Sequence, residues 1–419
     1  MPARHLPVRP DIEQLKHQAK DLLRALRKGD AEALADFAEF HPESVDPASA
    51  KLADAQLVLA RSYQSPSWTR LVLACRLTDA IWRDDVESVQ TMVFKNPHLI
   101  HESALVRESN WGPPMSYAAN LGRDQIIRRL HELGAKDHGH AIDRATLQGR
   151  IGTARMLHAM MGAPRLPDDA LEGPAYTLSA TGTALVFDLG GGAVDEHGKR
   201  IAPVATVLGT DSRKPAAKHA ILEMYVAHGL DLPDTPPMAV HRGRIDLLDA
   251  HLERDPALLR RTFSYADIFP PELGCGDSAT FGTPLDGATL LHMAVDYDEL
   301  EIAEWLLAHG MEVDARAAVD AEGFGGHTAL FATVVSQPNF WMNYQYKPHV
   351  APFTQLLLEH GADPNVRASL RRQLHPGYGP DTMHEYRDVT PLGWGRHFHR
   401  KVFVSEPAMA LIAERGGHL

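Results

Sequence analysis

The sequence predicts an all-α solenoid of about nine helix pairs behind an N-terminal helical cap, with long loops projecting from its later repeats. Three observations carry that expectation. First, "EWLLAHGMEVDAR" at residues 304–316 and "QLLLEHGADPNVR" at residues 355–367 align closely, with weaker copies at 128–140, 223–235 and the closing "ALIAERGGHL". Each is an apolar helical stripe followed by a glycine and a short polar turn. A glycine there suits the left-handed conformation that ends a helix. Second, a shorter helical pattern precedes these copies, as in "GPPMSYAANLGRDQI", "GATLLHMAVDYDELEI", "GHTALFATVVSQ" and "DVTPLGWGRHF". Third, the first 77 residues follow neither pattern.

Taken in order, "RPDIEQLKHQAKDLLRALRKGDAEALADFAEFHPE" reads as an amphipathic helix ending at Gly29 and a second one ending before Pro42. "AKLADAQLVLARSYQSPSWTRLVLAC" adds two short helices broken at Ser65-Pro66. An open solenoid end needs such a cap with a polar outer face. Helix pairs follow near residues 78–101, 112–137, 140–166, 174–198, 201–233, 235–262, 287–316, 326–367 and 389–418. In the fourth, "DLGGGAVDEHGKR" reads as a truncated helix and a hairpin; in the fifth, "GTDSRKPAAKH" lengthens the turn between helices. The expected organisation is a cap over 1–77, degenerate repeats over 78–262, and repeats with long insertions over 263–419, continuous with the preceding array.

The paired pattern resembles the ankyrin repeat, whose T-P-L-H-x-A signature opens the first helix and whose L-L-x-x-G-A closes the second. The match is specific at Thr289, Leu291, His292, Ala294, Leu306, Leu307 and Gly310, at Thr390, Pro391 and Leu392, and at Leu357, Leu358, Gly361, Ala362, Asp363 and Asn365. The N-terminal block resembles a helical module that precedes ankyrin repeats in many bacterial proteins. Together the two resemblances cover nearly the whole chain.

Composition narrows the function classes. Hydrophobic residues make up 44% and charged residues 23% of the 419, an ordinary balance for a folded soluble chain. A net charge of −12 argues against nonspecific nucleic-acid binding, which needs a basic face. Cys75 and Cys275 are the only cysteines, which excludes a disulfide framework and fits a reducing compartment. The N-terminus lacks an apolar signal segment, and no window reaches the roughly 20 apolar residues that span a bilayer. A cytoplasmic monomer is expected, away from membranes.

The resemblance implies that the two residues before the first-helix glycine face the concave side. Carried along the chain, that register gives Trp82/Arg83, Asn120/Leu121, Leu147/Gln148, Thr206/Val207, His241/Arg242, Asp296/Tyr297, Val335/Ser336 and His397/Phe398. Adjacent repeats therefore carry His241, Arg242, Asp296 and Tyr297, close enough to converge on one small ligand when packed helices lie about 8–10 Å apart. The long connection 263–287 contains Tyr265, Phe269, Leu273, Cys275 and Phe281, too apolar for a disordered tail. Further insertions lie at 317–327, 338–349 (with Trp341, Tyr344 and Tyr346) and 369–388. His327 opens a repeat and is a further contact candidate.

Plainer roles compete. His292 occupies the signature histidine that ties neighbouring fingers by hydrogen bonds. Asp298 and Glu299 replace and follow the first-helix glycine, which points to an exposed loop or helix N-cap. His138-x-His140 and His397-x-His399 are the close histidine pairs, but residues two apart diverge on a helix, so no metal site and no cofactor is expected. Cys275 has no placed base, and the glycine run at 190–192 reads as a turn.

Two functions follow. The first is a binding scaffold whose concave face and fingers hold a protein or peptide. The alternative is a small-molecule-binding protein or enzyme, its pocket between repeats six and seven under the 263–286 loop. In that alternative Asp296 or His241 is the general base, Tyr297 the acid, and Arg242 an anion holder, with Tyr265 and His327 as further ligand contacts. Whether the chain catalyses a hydrolysis, elimination or isomerisation stays open on sequence grounds.

Overall fold

The structure is a computed structural model and describes residues 4, 6–101, 112–210, 212–276, 282–344, 350–374 and 381–419, the side chains of 341–344 excepted. Its contacts separate into two compact units, Met1–Leu166 and Pro167–Leu419. Each is built mainly from helices, and most neighbouring pairs pack first helix on first helix, several of them also second on second.

In the first unit, helix Ile12–Arg27 starts where the Asp11 carboxylate accepts the Glu13 and Gln14 backbone N–H groups. It buries Leu15, Ala19, Leu22, Leu23 and Leu26, and the chain then turns at Gly29. Helix Ala31–Phe40 is capped the same way by Asp30. Helices Leu52–Ser62 and Trp68–Trp82 complete a shared core with Val58, Leu59, Leu71 and Cys75. Trp68–Trp82 carries the chain through residues 77 and 78 without a break. It pairs with Val86–Lys95, and the pairs Pro114–Leu121/Asp124–Glu132 and His138–Leu147/Ile151–Met160 follow.

In the second unit the pairs are Glu172–Tyr176/Ala180–Asp188, Val204–Gly209/Pro215–Ala227, Pro236–His241/Ile245–Arg254, Leu290–Asp296/Leu300–Ala308, Ala329–Val334/Pro352–Glu359 and Pro391–His397/Glu406–Glu414. Nine pairs are thus counted among the described residues. Threonines open several first helices: Thr235 accepts from Met238 N–H, Thr390 from Gly393 N–H, and Thr289 forms a box with the His292 ring. This is the local reason for the recurring Thr at that position.

The connections are where the chain departs from a plain helical array. After helix Ala180–Asp188 the chain makes a small hairpin, bridged at Val194 and Arg200. The connection from 263 carries the short helix Tyr265–Ile268, and Phe263 pairs with Ala288. Farther on, Thr283 bonds the Val335 carbonyl at 2.8 Å and receives the Trp394 indole N–H at 2.9 Å. The insertion at 369–388 forms strands Ala368–Arg372 and His384–Val389, an antiparallel ribbon absent from the helical expectation. The fingers are laced together: Ala318 N–H bonds Gly287 O at 2.8 Å, and Gly325 N–H bonds Ser369 O at 2.7 Å. Phe281 and Tyr346 lie outside the described residues.

Candidate functional site

The second unit buries a cluster of charges around one tyrosine. Helix Leu290–Asp296 ends in Asp296 and Tyr297, whose exposures are 0% and 2%. The lengthened turn of the fifth pair sends Arg213 into the same place. Its guanidinium donates to the Asp296 carbonyl at 2.8 Å and carboxylate at 3.2 Å, and to the Thr210 and Ser212 carbonyls at 2.7 and 3.2 Å. One turn into helix Pro215–Ala227, buried Lys218 pairs with Glu299 at 2.8 Å, and His219 meets the same carboxylate oxygen at 2.8 Å. Tyr297 packs against both cations, its ring centroid 4.6 Å from the Arg213 guanidinium carbon and 4.3 Å from the Lys218 nitrogen. Its hydroxyl donates to Leu208 O at 2.7 Å.

Burial and pairing set the protonation states. Burial lowers the pKa of Lys218, opposed chiefly by Glu299. Burial raises that of Glu299, but Lys218 and His219 outweigh it and hold the carboxyl below its usual range. Tyr297 is pushed well above the ordinary phenol value by burial, so it stays protonated. His241 falls well below the ordinary imidazole value, first by burial and then by the Lys218 charge. It is therefore neutral, its Nε2–H donating to Ile268 O at 2.9 Å while Nδ1 is buried without a hydrogen bond. Helix Tyr265–Ile268 and Phe269 cover it, and its ring meets Tyr297 edge-on at 4.7 Å.

The structure therefore brings His241 and Tyr297 together beneath the 263–276 segment, with Asp296 beside them, but not on a solvated face. Arg242 stands apart: its guanidinium grips Glu223 at 2.6 and 3.1 Å, an ion pair shared with Arg244. The exposed-loop or N-cap role expected of Glu299 is corrected. It precedes helix Leu300–Ala308 but makes no side-chain cap bond, because its carboxylate turns inward to Lys218 and His219. Asp298 takes the left-handed conformation, φ 60°, that glycine occupies in the parallel turns. His292 ties fingers, its Nε2–H donating to His327 O at 3.0 Å.

Tyr265 and His327 belong to a neighbouring cleft of about 580 Å³ built from the fingers and the ribbon. Leu285, Asp286, Phe324, Arg371, Arg372 and Met383 line it as well. Arg372 lies within electrostatic reach of both Asp296 and Tyr265, so the cleft borders the buried cluster. Asp296 contributes one unsatisfied atom, an Oδ1 that is buried without a hydrogen bond. His327 donates Nε2–H to Pro284 O at 3.0 Å, with Nδ1 buried and unbonded. The cluster itself can hold charge and position the long turn. Its acids and bases are paired or shut away from solvent, the unbonded His241 Nδ1 and Asp296 Oδ1 among them.

Sequence reasoning missed Arg213, Lys218 and His219 because the fifth repeat's lengthened turn displaces the register, which nominated Thr206 and Val207 instead. The signal present was Arg213 and Lys214 just before, and Lys218 and His219 just inside, an otherwise apolar helix start. Burial pushes the Cys275 thiol up to about 11, which keeps it protonated near neutral pH.

Residues 286–318 match the family model of the ankyrin repeat. Among solved structures the chain is similar to the crystal structure of the human ASB11 ankyrin repeat domain, with 14% identity, 73% of this chain and 99% of that chain covered, and a TM-score of 0.29. No curated protein matches the sequence.

Proposed function

Starting from a chain that carries an ankyrin repeat at residues 286–318, a repeat that generally mediates protein–protein interaction, we propose that it is a binding scaffold whose fingers hold a segment of a partner protein. The observation that carries this is the cleft between the fingers and the ribbon. Val319 and Met383, at 61% and 54% exposure, are large apolar side chains left in solvent, and both line it. Arg371, Asp286 and Asp320 surround them with charge. An apolar anchor inside a polar rim is the arrangement of a binding patch. The partner segment is therefore one with a central apolar side chain flanked by polar groups.

The test places a photo-crosslinking amino acid at 319 and at 383, with position 402 as an exposed apolar control. The reading expects one partner to crosslink from both cleft positions and not from 402, and Val319→Asp to weaken that purified partner's affinity at least about tenfold. Equal labelling from 402, or an affinity unmoved by Val319→Asp, rejects it.

A second reading is favoured by the unbonded Asp296 Oδ1, by the charge of Asp296 acting on the cleft residue Arg372, and by a cleft volume inside the roughly 300–1,000 Å³ range of small-molecule sites. Here the cleft takes a small molecule, and ligand binding raises the melting temperature by mass action. A metabolite screen by thermal shift, run on wild type and Asp296→Asn, checks it. Hits that shift both proteins equally, or no hits at all, remove it.

A further inference from the structure

We propose that Asp381, His384 and His399 form a binding site for one divalent transition-metal ion of the zinc class. No motif spacing announces it: Asp381 and His384 sit at the mouth of the ribbon, whereas His399 follows helix Pro391–His397. The fold brings one oxygen and two nitrogens within 4.8 Å of one another, and among the described residues this is the group of three such donors. Both histidines present Nε2 to the same carboxylate, His384 at 3.2 Å and His399 at 3.3 Å. Their rings stack with centroids 3.9 Å apart and planes 15° from parallel, so the exposed His384 must turn its ring for both Nε2 atoms to meet one ion.

Two features separate this cluster from an ordinary hydrogen-bonded one. The first is that His399 Nε2 is buried and makes no hydrogen bond, although Asp381 lies 3.3 Å away. At that distance the missing bond reflects its angle to the carboxylate, and an ion held between the two groups does not need the straight approach that a hydrogen bond does. A zinc-class ion with bonds of about 2.0–2.2 Å in tetrahedral array separates its ligands by roughly 3.3–3.6 Å, close to the two histidine–carboxylate distances, 3.2 Å to Oδ1 and 3.3 Å to Oδ2. The second is an outer shell. Tyr386 Oη lies 2.7 Å from His399 Nδ1 and accepts the His399 backbone N–H at 3.1 Å. An Nδ1–H donating to that oxygen leaves Nε2 unprotonated for the ion, the arrangement usual for ligating histidines. Asp381 is likewise held: its Oδ2 accepts Leu374 N–H at 2.5 Å, and its carboxylate is 6% exposed. His384, 37% exposed, leaves solvent access on one side, so water completes the coordination. Imidazole and carboxylate donors without thiolate fit Zn²⁺ and its neighbours better than Cu(I). The bound ion ties the ribbon to the segment after helix Pro391–His397.

The test uses the full chain, stripped with a chelator and titrated with zinc chloride against a chromophoric competitor. Wild type is expected to bind one equivalent in competition with the chelator. Asp381→Asn, His384→Ala and His399→Ala are each expected to weaken it at least about tenfold. His131→Ala, which removes an exposed histidine pair at 2.8 Å elsewhere, is expected to leave it unchanged. X-ray absorption on zinc-loaded wild type, which depends on no variant folding, is expected to show a nitrogen and oxygen shell with scattering from two imidazoles. Failure of wild type to take up zinc overturns the proposal. So does uptake unaltered by His384→Ala in a variant whose melting profile is native, or a shell without imidazole.

Discussion

Arg213 and Asp296 illustrate how much a single buried pair is worth, because their side chains are 3% and 1% exposed. Removing one partner strands a charge where water cannot reach it, at a cost of about 3–5 kcal/mol, whereas replacing both by apolar groups is often neutral. Asp296→Asn is therefore expected to lower the unfolding free energy by about that amount, and Arg213→Met/Asp296→Leu to recover most of it. Urea titration with a double-mutant cycle measures this; two single variants that each lose less than about 1 kcal/mol mean the pair is not closed off from solvent. The histidines of the fingers give a pH prediction. Burial lowers His292 to about 4 and, with the His292 ring as a second cause, lowers His327 to about 3. Their unfolded values lie near 6.5, so below that pH the unfolded chain binds protons that the folded one refuses. Their contribution is complete above about pH 6.5 and is lost as the pH falls toward the folded values. Between pH 6 and 5, His292→Asn/His327→Asn is expected to show a stability slope shallower by about 1.7 protons, roughly 2.4 kcal/mol per pH unit. A slope equal to wild type rejects neutral, buried histidines at both sites.

The fingers depend on a few backbone positions. Gly325 has φ +119°, and a Cβ there would lie 2.0 Å from the Ala318 carbonyl oxygen, so no rotation of a side chain relieves the clash. Gly325→Ala is expected to part the bond to Ser369 and to speed amide exchange at 317–326 and 368–372, while helix Leu300–Ala308 keeps its protection. Uniform protection across the fingers in that variant contradicts the lacing described above. Helices were the legible part of this fold: apolar spacing, capping threonines and glycine stops are local signals, and the chain obeys them from Ile12–Arg27 to Glu406–Glu414. The ribbon was not legible, because "SLRRQLHPGYGPDTMHEYRD" shows no sustained alternation of apolar and polar residues. The candidate site was half legible. The repeat register points to His241, Asp296 and Tyr297, and the long 263–286 connection to a cover over them, but nothing local says that Ile268 and Phe269 will close directly on His241 and leave no room for a ligand there. It also drew attention to His397-x-His399 as a pair, although His397 is exposed and His399 keeps company with Asp381 and His384.

At the scale of the whole chain, the informative fact is the division of contacts into Met1–Leu166 and Pro167–Leu419. Among the described residues no helix is long and apolar enough to cross a membrane. Successive helix pairs pack on one another within each unit. In such arrays each pair contacts its neighbours, and stability is close to a sum of pair and interface terms. Cooperativity then need not extend from end to end, and two-state analysis fails when one part opens first. The buried cluster formed by Arg213, Lys218, Asp296 and Glu299 lies wholly in the second unit. Damage there is expected to stay there. In pulsed hydrogen exchange across a urea series, Asp296→Asn should expose peptides from 215–227 and 290–308 at lower denaturant than in wild type. Peptides from 12–27 and 68–82, in the core of the first unit, should open at the wild-type concentration. A matched downward shift of both sets would show instead that the chain unfolds as one cooperative body. The Arg213–Asp296 pair would then be stabilising repeats that it never touches.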